Sequence, residues 1–213
     1  HLDFSDQALG PPQYAAEQLP PWTHRLVTLI EVACTPGPID HLRDPEKPLP
    51  FEELHLTWAS HFSKELEGRP GVARLDPPAT RSMLRHLANQ WCEQSTPVLG
   101  QDFRLYLAQR DPLAAFDPDS AAASCVHYQA YIDRLRKGHL SQICNQYPVL
   151  GRRLAEEYDR QLSSLTELLS RLDQDAPELT DRFGIDPQRV SQLKLGVGDR
   201  HHDGRSVCWF LFG

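Results

Sequence analysis

The 213 residues carry 29 acidic and 22 basic side chains, a net charge of -7 that argues against a broad nucleic-acid-binding surface. No apolar run approaches the roughly 18–20 residues that span a bilayer, and His1-Leu-Asp-Phe-Ser-Asp-Gln7 lacks the basic start and apolar core of a secretory signal. Cys34, Cys92, Cys125, Cys144 and Cys208 form no C-x-x-C pair and leave an odd one, the pattern of reduced, partly buried thiols in a cytoplasmic protein.

Gly10-Pro11-Pro12 and Pro20-Pro21 break regular structure, so residues 1–20 read as an extended lead-in. Leu26, Leu29, Ile30 and Ala33 recur at helical spacing between Trp22 and Thr35, a short amphipathic helix stopped by Pro36-Gly37-Pro38. A Pro-rich loop then runs to Pro50. From Phe51 onward Leu54, Trp58, Phe62 and Leu66 line one aromatic helix face, which reads as core packing rather than a stacking platform. His55 and His61 on this helix are not spaced to share a ligand and read as satisfied or surface residues.

Asp76-Pro77-Pro78 predicts a helix start capped by the Asp side chain, with Met83, Leu84, Leu87 and Trp91 as the buried stripe. Pro97 is expected to end or kink this helix, with Leu99, Phe103, Tyr106 and Leu107 on a new one closed by Asp111-Pro112. Beyond the Asp117-Pro118-Asp119 loop, Cys125, Tyr128, Ile132 and Leu135 form a packing seam that Gly138 should stop. The longest helix is expected from Pro148, with Leu154, Tyr158, Leu162, Leu165, Leu169 and Leu172 inward. Arg152, Arg153, Glu156, Glu157, Asp159 and Arg160 then form its solvated face. Two short helical pieces should follow, the second capped by Asp186.

Leu193, Leu195 and Val197 alternate with Lys194 and Gly196, predicting a strand that ends near Val197. Gly196, Gly198 and Gly204 surround Asp199, Arg200, His201, His202 and Asp203, a composition suited to a tight turn that brings backbone N–H groups near an anion. Val207 to Phe212 is apolar without a break, which predicts a strand covered on both faces. Such a strand needs partners, so the expectation is a multi-helix region followed by the opening hairpin of a larger, truncated α/β unit.

Gly198-Asp-Arg-His-His-Asp-Gly-Arg-Ser-Val207 resembles the Gly-Asp-x-His-x-Gly-Gly-Arg/Lys-x-Val signature in the dehydratase domain of class II lanthipeptide synthetases, the LanM family. Tyr147-Pro-Val-Leu-Gly-Arg-Arg-Leu154 is similar to that family's Tyr-Pro-Val-Leu-Ala-Arg-x-Leu segment, and Leu49-Pro-Phe-Glu-Glu-Leu54 to its Pro-Phe entry into the helical region. The resemblance covers residues 49 to 213. It implies a mainly α chain ending in the first β-hairpin of a lipid-kinase-like α/β catalytic lobe. The boundaries it suggests are a Pro-rich lead-in with one helix over 1–48, a helical region over 49–189 and the start of the kinase-like lobe over 190–213.

The activity implied is ATP- and Mg²⁺-dependent phosphorylation of Ser and Thr in a precursor peptide, then phosphate elimination to dehydro amino acids. Zn²⁺ would serve only a cyclase domain. By the same resemblance Asp199 and His201 assist elimination, while Gly198, Gly204 and Arg205 shape the loop over the nucleotide phosphates. Elimination needs a base for the α-proton and a group that assists the departing phosphate, and a His held by a carboxylate can do either near neutral pH.

Two other readings of the loop stay open. One is a metal site of Asp199, Asp203 and one of His201 or His202, since neighbouring side chains point to opposite faces of an extended segment. The other is a polar turn that hydrogen-bonds locally. Asp203 stands where the family has the first glycine of its pair, and His202 holds the variable position before it. The family's Lys-Pro-Arg strand and Asp-x-His-x-x-Asn segment are not in this sequence, so these residues alone are expected to be inactive. The rival from another class is a non-catalytic helical peptide-binding or scaffold module.

Overall fold

The computed structural model describes residues 19–35, 37–112, 121–201 and 205–213, with the backbone alone at 121–124, 199–201 and 205–206. Helix α1 (Pro21–Cys34) starts on the φ of Pro21, and Thr23 Oγ1 donates to the Pro20 carbonyl at 2.6 Å. A single 3-10 turn, Asp40–Leu42, punctuates the Pro-rich segment that follows. Helix α2 (Glu52–Leu66) begins after Phe51, whose φ of 51° lies in the left-handed region that side chains other than glycine avoid. Burial holds it there: the Phe51 ring stacks on Tyr128 at 5.7 Å, and its N–H donates to the Tyr128 hydroxyl at 2.6 Å.

Helix α3 (Pro77–Arg110) runs through Pro97 as one helix, where the sequence predicts a break. An internal proline costs about 3 kcal/mol, yet burying a single Leu or Trp returns about 1.5–3 kcal/mol, and this helix buries Trp91 before Pro97 and Leu99 and Tyr106 after it. Continuity of the apolar stripe therefore outweighs the local breaker. Asp76 does not cap the helix with its side chain; the carboxylate instead faces Arg189 at 3.4 Å.

Helix α4 (Ala121–Arg134) passes through a single π-type turn, Leu135–His139, into helix α5 (Leu140–Gln146). Lys137 and Gly138 leave helical geometry there, Gly138 at φ 105°, so the first helix stops at Gly138 as predicted and the chain kinks into the next. Tyr131, Ile132 and Leu135 are buried, whereas Cys125, expected in the seam, is exposed. The four-residue steps of α4 favour Tyr131 instead, which sits among Phe51, Phe103 and Tyr106.

Helix α6 (Pro148–Phe183) buries the whole expected stripe from Leu154 to Leu172. It continues through Pro177, so the two short pieces predicted after it do not form. Asp186 closes a turn by accepting from the Gln188 N–H at 3.0 Å. Glu157, expected on the solvated face, is only 6% exposed. One continuous core links α1 through Leu29, α2 through Trp58 and Phe62, α3 through Trp91 and α6 through Tyr158. Trp91 and Tyr158 stack at 5.3 Å, and Trp58 Nε1–H donates to the Leu29 carbonyl at 2.8 Å. Arg25 crosses this junction, bonding Glu65 at 2.8 Å and Asp159 at 2.6 Å with its guanidinium over the Tyr158 ring. All five cysteines are free thiols.

Strands β1 (Val190–His201) and β2 (Arg205–Phe212) form a two-stranded antiparallel sheet. The molecule is thus a helical region followed by a β-hairpin, as its residue patterning predicts.

Candidate functional site

The hairpin is seated on the helices at its base. Val190 and Leu193 are buried, Leu75 makes a parallel bridge to Val190, and the Asp76 N–H donates to the Val190 carbonyl at 3.0 Å. Cys208, Phe210 and Phe212 pack against the core from one face of β2. The opposite face carries Val207, Trp209 and Leu211, which are 54%, 56% and 58% exposed. The apolar run is therefore covered on one side only among the described residues, where its composition predicts cover on both.

Strand β1 continues past Val197 to His201 because glycines absorb its surplus length. Between Lys194↔Trp209 and Val197↔Val207 the first strand has one residue more than the second, and Gly196 lies in that interval at φ 70°. Between Val197↔Val207 and His201↔Arg205 it has two more, and Gly198 lies there at φ 103°. Extra residues on one strand bulge and bend it, and the left-handed conformations they require are open to glycine at little cost. The Gly-x-Gly spacing of residues 196–198 is what lets a long strand curl toward its turn.

This register settles where the sequence-predicted residues stand. Gly198 is exposed, and a Cβ built on it would meet nothing within 4 Å, so its backbone can be approached closely. Asp199 lies two residues before the end of β1, and His201 is its last residue, paired across the strands with Arg205 at the mouth of the turn. Their side chains, like that of Arg205, fall outside the described residues, as do His202, Asp203 and Gly204 entirely. A shared face for Asp199, His201 and Asp203, and a metal site among them, thus lie outside what the structure describes. Cys208, one strand away, is no nearby nucleophile, because burial pushes its thiol up against the opposing hydrogen bond from the Gly196 backbone.

Sequence reasoning missed a polar chain directly behind the hairpin. The buried Glu157 carboxylate accepts from Gln161 Nε2 at 3.0 Å, and Gln161 Nε2 also donates to Gln90 Oε1 at 2.5 Å. Gln90 Nε2 then lies 3.0 Å from His86 Nε2. Each amide orientation is fixed by its neighbour: the carboxylate demands the NH₂ of Gln161, that donor demands the carbonyl of Gln90, and the remaining NH₂ makes His86 Nε2 an acceptor. One atom is left over. Gln161 Oε1 is buried without a hydrogen-bond partner, a situation that typically costs about 1–3 kcal/mol. The signal available in the sequence was two four-residue polar pairs, His86/Gln90 and Glu157/Gln161, interrupting otherwise apolar stripes.

A second missed cluster joins α3 to the π-type turn. His139 Nε2 lies 2.8 Å from Asp102, whose carboxylate also accepts from the Tyr131 hydroxyl at 2.9 Å. Burial, with Asp102 beside it, pushes the Tyr131 phenol far up, so it keeps its proton and donates it to Asp102. Among the described residues no group of three or more His, Cys, Asp or Glu is arranged to hold a metal ion, and no helix is long and apolar enough to cross a membrane.

Compared with known proteins, the chain matches the family described as a domain of unknown function, DUF4135, over residues 147–213. That span takes in helix α6, the Tyr147-Pro-Val-Leu segment and the whole hairpin. No curated protein and no solved structure matches the chain. The matched domain is one found in lanthipeptide synthetase-like proteins, and residues 147–213 are similar to it.

Proposed function

We propose that this chain is the N-terminal part of a LanM-type lanthipeptide synthetase dehydratase, acting in the cytoplasm on Ser and Thr of a precursor peptide. The observation that carries the reading is the family match over residues 147–213, because it contains both the Tyr147–Leu154 segment and the Gly198–Val207 motif. The exposed, unhindered backbone at Gly198 supports a turn over nucleotide phosphates. In this reading Gly198, Gly204 and Arg205 face those phosphates, Arg205 through charge-assisted hydrogen bonds. ATP and Mg²⁺ supply the phosphoryl group and its charge neutralisation, held mainly by residues beyond this sequence.

The chemistry has two stages. The peptide hydroxyl oxygen attacks the γ-phosphorus and ADP departs. The α-proton is then removed, the Cβ–O bond breaks, inorganic phosphate leaves and a Cα=Cβ double bond forms. Asp199 and His201 share the second stage, one taking the α-proton and the other assisting the departing phosphate. Zn²⁺ enters only with a cyclase domain that adds Cys thiols to the alkenes.

The test is the intact mass of a candidate precursor peptide co-expressed with the longer synthetase that this reading requires. Loss of waters with the wild type, and accumulation of phosphopeptide with His201→Ala or Asp199→Ala, supports the assignment. Unmodified peptide in every sample, with folded protein and ATP present, overturns it in favour of a helical binding module.

A further inference from the structure

The chain carries a net charge of -7, yet cations converge on one cleft where the C-terminal ends of α3 and α4 meet the π-type turn. The Arg110 guanidinium lies over the Tyr106 ring at 5.0 Å, and the Arg134 guanidinium lies over the same ring at 5.5 Å. Lys137 and His139 follow on the kinked turn, and all four side chains line a cavity of about 390 Å³. Arg110, Arg134 and Lys137 are exposed and make no ion pair among the described residues. His139 is held by Asp102, 2.8 Å from its Nε2, and its Nδ1 lies 3.5 Å from Arg134 Nη2. The one carboxylate among the lining residues, Asp133, stands 4.0 Å from Arg136. A cation in the last turn of a helix is favoured by the carbonyl end of the dipole, which accounts for Arg110 and Arg134 one at a time. It does not account for both over one ring, since like charges brought together repel and an anion bound to both removes that cost.

Tyr106, only 5% exposed, is a fixed platform for the two guanidinium groups, whose forked N–H donors match the oxygens of a phosphate. Three unpaired cations suit a dianion with several acceptor oxygens better than a carboxylate, which brings one charge and two oxygens. We propose that this cleft binds a phosphate dianion, free or as a monoester, with Arg110 and Arg134 donating to its oxygens and Lys137 supplying a third positive charge. The site does not rest on the dehydratase reading, and no hairpin residue belongs to it.

The probes are inorganic phosphate and N-acetyl-phosphoserine N-methylamide, titrated at constant ionic strength into the isotope-labelled 213-residue chain and followed by NMR, with N-acetyl-serine N-methylamide as the control. The pH is held at about 7.5, where a phosphomonoester, its second pKa being about 6, is a dianion. The expected result is saturable binding in the millimolar range, with shifts at the side-chain N–H groups of Arg110 and Arg134 and at the Lys137 and His139 amides, and none with the control. Arg110→Gln and Arg134→Gln should each weaken binding about tenfold, the loss of one charge-assisted contact, and the double variant should abolish it. Arg152→Gln, at an exposed arginine of α6, should change nothing. Equal affinity for the two probes means that the phosphate group alone is read; tighter inorganic phosphate marks the free ion as the occupant, and a tighter phosphoserine probe marks a phosphorylated chain. If the double variant does not fold, Lys137→Gln, with a severalfold weakening expected, carries the test together with the single variants. The proposal is overturned by shifts that do not saturate, by an equal response to the serine control, or by folded Arg110 and Arg134 variants that bind as the wild type does.

Discussion

The imidazole of His86 lies 3.4 Å from the position that a Cβ on Gly196 would occupy, a van der Waals separation, so the flank of α3 closes on the first bulge of β1 but leaves room for a methyl group. Gly196 also holds a φ of 70°. Gly196→Ala should lower stability by about 1–2 kcal/mol through left-handed strain alone, with the helical circular dichroism of the folded state unchanged. Urea unfolding reads the shift, and an unchanged midpoint would show that the bulge relaxes freely.

A tighter contact lies at the other end of the helical region. A Cβ on Gly71 would stand 2.1 Å from the Leu169 carbonyl oxygen, which is α6 backbone and cannot swing aside, and Gly71 itself has φ 76°. Gly71→Ala should therefore cost more than Gly196→Ala, at least about 3 kcal/mol from overpacking and strain together. Thermal melts of the two variants side by side check the ranking.

Pro97 offers the opposite sign. It is exposed and interior to α3, where it removes one backbone hydrogen bond. Pro97→Ala should stabilise the protein by about 1–3 kcal/mol, because the helix already follows its path and gains the missing donor. A lower urea midpoint would mean that the proline sets a bend on which the core depends.

His55 predicts a pH dependence. The ring is fully buried, its Nε2 is 2.8 Å from Ser95 Oγ, and burial pushes its pKa down to about 4 against the opposing pull of the Pro50 and Phe51 carbonyls. The unfolded chain takes up the proton near pH 6.5 and the folded chain only near 4, so stability is complete above about pH 6.5 and falls as the pH drops toward 4. The loss across that window is at most about 3 kcal/mol. Urea unfolding at pH 4.5 and 7 should show it for the wild type and a smaller difference for His55→Gln, whose amide does not titrate.

Much of the helical region was legible from residue spacing. The aromatic face of α2 and the leucine stripe of α6 repeat at three and four residues, and burial follows that period because a helix has one face to hide. Local breakers misled for the same reason in reverse. Pro97 predicts an interruption, and Asp186 a helix cap, but at Pro97 packing on both sides outweighs one lost hydrogen bond.

By itself the sequence determined the order of helices and the hairpin after them, since these depend on period and on glycine placement along the chain. Tertiary structure alone decided the burial of Glu157, the lone acceptor of Gln161 and the contact of His86 with Gly196. Those depend on which faces of α3, α6 and β1 meet, and residues about 70 or more positions apart in the chain leave no periodic trace of their partnership.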